Sequence, residues 1–422
     1  MQNAYTRKAM NHLNSTPIHV MLTEAGQLPI EQRIEALTKR ELIRTMWYQT
    51  PLVEFISKTL DREIGNESYL TETADKHADL LYQIHPSDRE IPYFKRMRYF
   101  ERVEFDRIIR TKLSEDQPKK NHGNTALWQA LFREKMQSTY QQHNKIYTDA
   151  SKTATGTAFA VFDETDGTVI SEGINKNFTI TNAELLGILK AVELIKEKGY
   201  KKAVILTDSR SACDMLLNQQ TLEENYIAAE IYKEFYGTRG NTIRIQWVPS
   251  HNGINGNEIA DAEAVAKSRE PQTYFNGITM NDALIVSKDE VWEEWTRKYK
   301  TLSEEKGSWH YQLLEQPTKT IWNKNLALNP EQLKTLNRIR TGHCLTKDKR
   351  FKWGWEIDDQ CEWCDTTEDL QHILYVCPKY NHSRVDYPAL EYMKPLQDIL
   401  REKNEEDLKQ IVQFLNSNKI HI

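Results

Sequence analysis

The sequence predicts an α/β fold: a mixed five-stranded sheet with helices packed on it, set between a mainly helical N-terminal region and a small helical C-terminal region. Three observations predict it. Between Asn144 and Ser268, short apolar runs and amphipathic stretches follow the order β-β-β-α-β-α-α-β-α. The stretches on either side carry helical periodicity. The 422 residues exceed what one domain usually needs. The expected boundaries are 1–136, 143–269 and 270–422, the last with a Cys/His-rich segment at 361–377.

The elements are justified in order. "PIEQRIEALTKRELIRTMWY" sets Ile34, Leu37, Leu42 and Ile43 among charges at helical spacing. "IPYFKRMRYFERVEFDRIIRTKL" interleaves aromatic and basic residues; it reads as an amphipathic helix with a solvated face, or as a nucleic-acid surface. "SEDQPKKNHGN", Ser114 to Asn124, reads as a polar linker. "KIYTDAS" and "GTAFAVFD" read as strands, "DETDG" as a turn and "TVISEG" as a third strand. "NAELLGILKAVELIKEKG" places Leu185, Leu189, Val192 and Ile195 on a helix stopped at Gly199. "KAVILTDS" is a buried strand, "SACDMLL" and "NYIAAEIYKEFYG" are helices, "NTIRIQWVPS" alternates as a strand, and "GNEIADAEAVAKS" closes as a helix. Beyond Ser268, "VWEEWTRKYKTL" spaces Trp292, Trp295, Tyr299 and Leu302 as the core-facing stripe of a helix.

Composition narrows the function classes. Hydrophobic residues at 39% and charged residues at 28% fit a globular protein with a real core. The formal net charge of -5 means that nucleic-acid binding would rest on local basic patches rather than on the whole chain. "MQNAYTRKAMNHLNS" lacks the apolar run of a signal peptide, and no stretch reaches the length of a membrane span. The chain is therefore expected to be intracellular, with no membrane partner. Four of the five cysteines, Cys344, Cys361, Cys364 and Cys377, cluster near the C-terminus, which favours a metal over disulfides.

Four acids of the central region stand out. Asp149 lies inside a strand, where aspartate is depleted. Glu184 opens an apolar helix, Asp208 ends an apolar strand, and Asp261 lies early in the last helix. Asp208 could cap the following helix, and Glu184 and Asp261 could complement helix N-termini. With the first and fourth strands as neighbours, Asp149 and Asp208 lie side by side. Two carboxylates about 5 Å apart repel by roughly 3 kcal/mol at an effective dielectric near 20. Several in one pocket shift their pKa values or demand a cation. Mg²⁺ is a hard ion that carboxylates, water and phosphate oxygens satisfy.

"YTDASK", "NAELLGILKAVELI", "VILTDSRSA" and "WVPSHNGINGNEIADAEA" together resemble type I ribonuclease H, from about Asn144 to Ser268. The resemblance implies a ribonuclease H-like sheet with helices on both faces. It implies a nuclease that cuts the RNA strand of RNA–DNA hybrids with two Mg²⁺ ions, Mn²⁺ being an alternative, and leaves 5′-phosphate and 3′-hydroxyl ends. Asp149, Glu184, Asp208 and Asp261 would be the Mg²⁺ ligands, Asp149 bridging both ions. His251, in a glycine-flanked loop, would assist proton transfer or product departure. Asn182, Ser209 and Asn257 would contact substrate. The sequence departs from the family in its short "SKTATGT" turn, in having only Asn182 before the helix glutamate, and in lacking an obvious basic handle helix.

"CEWCDTTEDLQHILYVC" spaces Cys361, Cys364, His372 and Cys377 as C-x2-C-x7-H-x4-C, a donor set suited to tetrahedral Zn²⁺. Cys344 and His343 are alternative ligands farther upstream. Gln332 to Trp353 holds seven Lys/Arg against one Asp, with Phe351 and Trp353, which suits single-stranded or hybrid nucleic acid; a solvated basic helix is the plainer reading. "LNRIRTGHCLTKDKRFKWGWEIDDQCEWCDTTEDLQHILYVCPKY" resembles the tail that follows ribonuclease H in insect-type non-LTR retrotransposon polyproteins. Residues 1 to about 135 resemble the end of the reverse transcriptase region of the same elements. No "YxDD"-like motif occurs, so no polymerase activity is expected. The alternative expectation is a catalytically silent, retroelement-derived nucleic-acid-binding protein.

Overall fold

The computed structural model describes residues 1–61, 68–84, 103–118, 124–218, 225–238, 241–270, 277–391 and 394–422. The aromatic and basic stretch at 91–102 and the linker residues 119–123 lie outside them. The chain divides into two compact units, one made of 1–37 with 288–422, the other of 38–287. Among the described residues no helix is long and apolar enough to cross a membrane.

The second unit holds the sheet. Its strands are β1 (Ile109–Arg110), β2 (Asn144–Lys152), β3 (Thr157–Asp163), β4 (Val169–Ile174), β5 (Lys202–Thr207) and β6 (Thr242–Trp247), in the spatial order β1-β6-β5-β2-β3-β4. The β2-β3-β4 meander is antiparallel, whereas β5, β6 and β1 continue parallel to β2. These are the five expected strands plus β1, a two-residue edge strand from the N-terminal region. Two residues give no readable period, and β1 forms because Ile109 pairs with Ile245 and is buried there. The Gln246 side chain holds the same edge by donating to the Arg110 and Lys112 carbonyls.

The helices of this unit that matter to the site are α1 (Thr125–Ser138), α2 (Ile180–Glu197), α3 (Arg210–Leu217), α4 (Tyr226–Gly237), α5 (Asn255–Ser268) and α6 (Met280–Glu305), whose first turn falls in this unit. Thr179 caps α2, its hydroxyl accepting from the Asn182 N–H. The helix buries Leu185, Ile188, Val192 and Ile195, and ends where Gly199 takes φ +66° and Tyr200 N–H bonds back to the Ile195 carbonyl. Successive side chains of β2 show which helices cover which face. The Tyr147 ring abuts Gly256 of α5, while Thr148 meets Gly187 of α2. Neighbouring strand residues point to opposite faces, so α2 and α5 lie on opposite sides of the sheet. Gly256 is required there, because a Cβ would overlap the Tyr147 ring.

The first unit is helical and has its own core, in which Leu336, Ile339, Leu374, Leu400, Ile411 and Phe414 are fully buried or nearly so. Its first 37 residues are tied in by a buried charge. Glu24 accepts from Arg340 Nε at 2.6 Å and Nη2 at 2.8 Å, and lies 2.8 Å from His310 Nε2. Burial alone would raise the Glu24 pKa, but Arg340 and His310 overcome it and hold the carboxyl well below its usual range. The expected aromatic stripe is core as read at Trp295 and Tyr299, which pack with Met21 and Leu22; Leu302 at its end is exposed.

Candidate functional site

The parallel register brings the first two acids together. Thr148 of β2 pairs with Thr207 of β5, so Asp149 and Asp208, one residue on, emerge side by side at the carboxyl edge of the sheet. Ligands of open α/β sheets bind along that edge. Glu184 comes from the first turns of α2, packed over β2 and β3. One oxygen from each of Asp149, Glu184 and Asp208 lies within 4.8 Å of the other two. Ser209, rather than Asp208, caps α3, its hydroxyl accepting from the Ala212 N–H, so Asp208 is not spent on helix capping.

Electrostatics disfavour the charged forms of Asp149 and Glu184. Burial, then the Asp208 charge, pushes the Asp149 carboxyl up to about 8. Burial, then Asp149 and Asp208, raises Glu184 well above its usual range. Glu184 Oε2 is buried with no hydrogen-bond partner. Three carboxylates within 4.8 Å of one another, one of them with a buried and unpartnered oxygen, form a hard-donor set that fits a divalent cation such as Mg²⁺.

Asp261 stands outside the 4.8 Å group. It sits a third exposed at the rim, where it adds to the field that raises Asp149. Its Oδ2 lies 3.7 Å from Nδ1 of His251, an exposed residue held at φ +54°. Left-handed backbone at a non-glycine residue is a feature that clusters at functional sites. The His251 loop is braced from outside the sheet: Gln129 of α1 donates to the Gly253 carbonyl at 3.4 Å. Gly253, at φ +70°, leaves no room for a Cβ beside that amide.

The three expected substrate contacts fare differently. Asn257 is buried and donates to Asp208 Oδ2 at 3.3 Å, so it touches the acid cluster directly. Ser209 is partly exposed next to Asp208. Asn182 is corrected: it is only 1% exposed, and its amide is bonded to Thr279, Asp282 and Asn225. No free donor remains on it for a substrate.

A second donor cluster lies in the first unit. Atoms of Cys361, Cys364, His372 and Cys377 all fall within 4.8 Å of one another. Cys361 Sγ is 3.7 Å from Cys377 Sγ, and Cys364 Sγ is 3.3 Å from His372 Nε2. Three thiols and an imidazole fit Zn²⁺. The Thr366 hydroxyl lies 3.1 Å from His372 Nδ1, which orients the ring so that Nε2 faces the thiols. Burial pushes the Cys377 thiol up to about 11, whereas the Thr366 hydroxyl lowers Cys364. Sequence reasoning missed Thr366, although "CDTTED" places it between the ligands. It also missed Arg384, which donates to the Ile373, Leu374 and Cys377 carbonyls and closes the turn carrying His372. The alternative ligands are elsewhere: Cys344 is buried in the apolar core, and His343 Nδ1 faces Ser15 Oγ.

Residues 141–269 match the RNase H family, and residues 291–383 match the family described as zinc-binding in reverse transcriptase. The first match contains all four acids and His251, and the second contains the whole Cys/His cluster. An RNase H domain supports nuclease activity on RNA–DNA hybrids in general, and the family generally uses Mg²⁺. The chain therefore carries an RNase H domain followed by a zinc-binding domain of reverse transcriptases, the pairing typical of fragments derived from retrotransposon reverse transcriptases.

Proposed function

We propose that this chain hydrolyses the RNA strand of RNA–DNA hybrids in a cation-dependent reaction that leaves 5′-phosphate and 3′-hydroxyl ends. The observation that carries the reading is the convergence of Asp149, Glu184 and Asp208 within 4.8 Å, with Glu184 Oε2 buried and unpartnered. Asp149, Glu184 and Asp208, with Asp261 at the rim, would hold two Mg²⁺ ions, and the metal would supply activation of the attacking water and neutralisation of charge on the scissile phosphate.

The chain's own residues do the rest. Asn257 fixes the Asp208 carboxylate through its amide. Asp261 Oδ2 lies 3.7 Å from His251 Nδ1 and orients the ring, while its exposure leaves Nε2 to deliver a proton to the departing 3′-oxygen. Substrate choice rests on the wide minor groove of an A-like hybrid, where the 2′-hydroxyls of the RNA strand are exposed.

The zinc-binding module is read as a second nucleic-acid contact, for single strands. Trp355 and Trp363 are about two-thirds exposed, and Lys379 Nζ lies 6.0 Å over the Trp363 ring. Exposed rings beside cations offer stacking and phosphate contacts together.

A labelled RNA–DNA hybrid incubated with the chain in Mg²⁺, then in excess EDTA, tests the main proposal. RNA cleavage that needs Mg²⁺ and disappears in Asp149→Asn is expected. Intact RNA in Mg²⁺, or cleavage that survives the substitution, sinks it.

A further inference from the structure

A buried polar junction lies behind Glu184. The Asp282 carboxylate accepts from Thr179 N–H at 2.8 Å, from Asn182 Nδ2 at 2.8 Å on both oxygens, from Thr279 N–H at 3.0 Å and from the Thr279 hydroxyl at 2.8 Å. Asn182 Oδ1 in turn accepts from Asn225 Nδ2 at 2.7 Å. Asn225 Oδ1 caps α4 by accepting from the N–H groups of Ile227 and Ala228. The N-termini of α2, α4 and α6 thus meet around one carboxylate. Asp282 and Thr279 are fully buried, and Asn182 and Asn225 nearly so. Asp282 lies beyond residue 269, where the RNase H match ends.

The junction bears on the acid cluster through α2. Glu184 is two residues past Asn182 and follows directly on the first turn of α2, the turn that frays first because its leading N–H groups lack partners in the helix. The Glu184 carboxylate must sit beside two others, one oxygen from each of Asp149, Glu184 and Asp208 lying within 4.8 Å of the other two. A first turn held only by its own cap would fix that placement through few bonds. Here the turn is held by a buried carboxylate whose bonds are charge-assisted and strengthened by the low local dielectric. We propose that Asp282 is a positioning residue for Glu184: through Thr179 and Asn182 it fixes the first turn of α2, so that the Glu184 carboxylate stays beside Asp149 and Asp208 to receive a divalent cation. The inference rests on the cation-dependent reading of that site given above.

Asp282→Asn preserves size but turns an NH2 group toward donors, so it opens the junction. The test is calorimetric titration of the zinc-loaded full chain with Mn²⁺, without nucleic acid, for the parent, Asp282→Asn, Glu184→Gln and the double variant. Asp282→Asn should weaken Mn²⁺ binding by about tenfold or more, the usual effect of removing an outer partner of a ligand. The double variant should bind no more weakly than Glu184→Gln alone, because both changes act through one ligand. In hybrid cleavage, Asp282→Asn should lower kcat and leave KM for the hybrid unchanged.

Parent-like Mn²⁺ affinity in Asp282→Asn overturns the inference, as do losses that add in the double variant. Asn182→Ala cuts one arm and keeps the Thr179 bond, so it carries the test if Asp282→Asn does not fold. It should weaken Mn²⁺ binding by a smaller factor, and unchanged affinity overturns the inference. A parent that binds Mn²⁺ yet leaves the hybrid intact refutes the nuclease reading and leaves the role of Asp282 standing. A parent that cuts the hybrid while Asp282→Asn keeps its Mn²⁺ affinity does the reverse, and a parent that binds no Mn²⁺ overturns both.

Discussion

Replacing Asp149 with Asn should stabilise the cation-free protein near neutral pH, although it removes a residue central to the site. The oxygens of Asp149, Glu184 and Asp208 lie within 4.8 Å of one another. Two full charges at that spacing repel by about 3 kcal/mol at an effective dielectric near 20. The folded protein avoids this by keeping a proton on Asp149 up to about pH 8, burial acting first and Asp208 second. In the unfolded chain the same carboxyl loses its proton near pH ~3.9. The folded state therefore holds the extra proton between those values, and stability falls as pH rises from about 4 to about 8, then levels. At about 1.4 kcal/mol per pH unit, the penalty by pH 7 is on the order of 4 kcal/mol. Asn carries no such penalty and still offers an acceptor to the Ala150 N–H, which Asp149 Oδ1 now receives at 2.7 Å. In urea unfolding followed by circular dichroism in EDTA, the variant should match the parent near pH ~4 and exceed it by about 2–4 kcal/mol near pH ~7. Excess Mg²⁺ should reverse the order, because only the parent keeps the full ligand set. A variant less stable than the parent near neutral pH in EDTA, or a difference that does not change with pH, refutes the reasoning.

Other perturbations test other parts of the account. Gly256→Ala drives a methyl group into the Tyr147 ring; overpacking of this kind should destabilise the sheet unit by about 1–3 kcal/mol in the same unfolding assay. Glu24→Ala leaves the Arg340 guanidinium buried without its carboxylate, and should destabilise the helical unit by about 3–5 kcal/mol, read by amide exchange in Leu336–Thr341. Ser at both Cys361 and Cys364 should lower the zinc measured per chain by mass spectrometry from about one to near zero; unchanged zinc would refute the ligand set. His251→Ala should slow cleavage by a factor on the order of 10² while leaving stability unchanged, since the ring is exposed; a parent-like rate would remove His251 from the proton-transfer role.

What was legible in the sequence follows the range over which each signal acts. Strand and helix order in 144–268 was readable because alternation, helical periodicity and stop signals such as Gly199 are local. Asp149 was conspicuous because an aspartate inside an apolar strand has few structural reasons to be there. The zinc-type set was readable because its four ligands fall within one short segment. The edge strand β1 was not, since two residues have no period and Ile109 is held by a partner 136 residues away. The tie between Glu24 and Arg340 spans 316 residues, and Glu24 in "HVMLTEAG" looks like an ordinary helix end. The resemblance to ribonuclease H implies a substrate contact for Asn182, the asparagine just before the helix glutamate, but a resemblance in local sequence does not report what the side chain meets in the fold. Its partner, Asp282, lies 100 residues on, beyond the range of any local signal.

The most direct test of the account is to follow both strands of a labelled RNA–DNA hybrid, beside an all-RNA duplex of the same sequence, with the full chain in Mg²⁺. The account predicts that only the RNA of the hybrid is shortened, that the new ends are 5′-phosphate and 3′-hydroxyl, and that Glu184→Gln abolishes the reaction. Cutting of the DNA strand or of the RNA duplex, or cleavage that persists in Glu184→Gln, would contradict it.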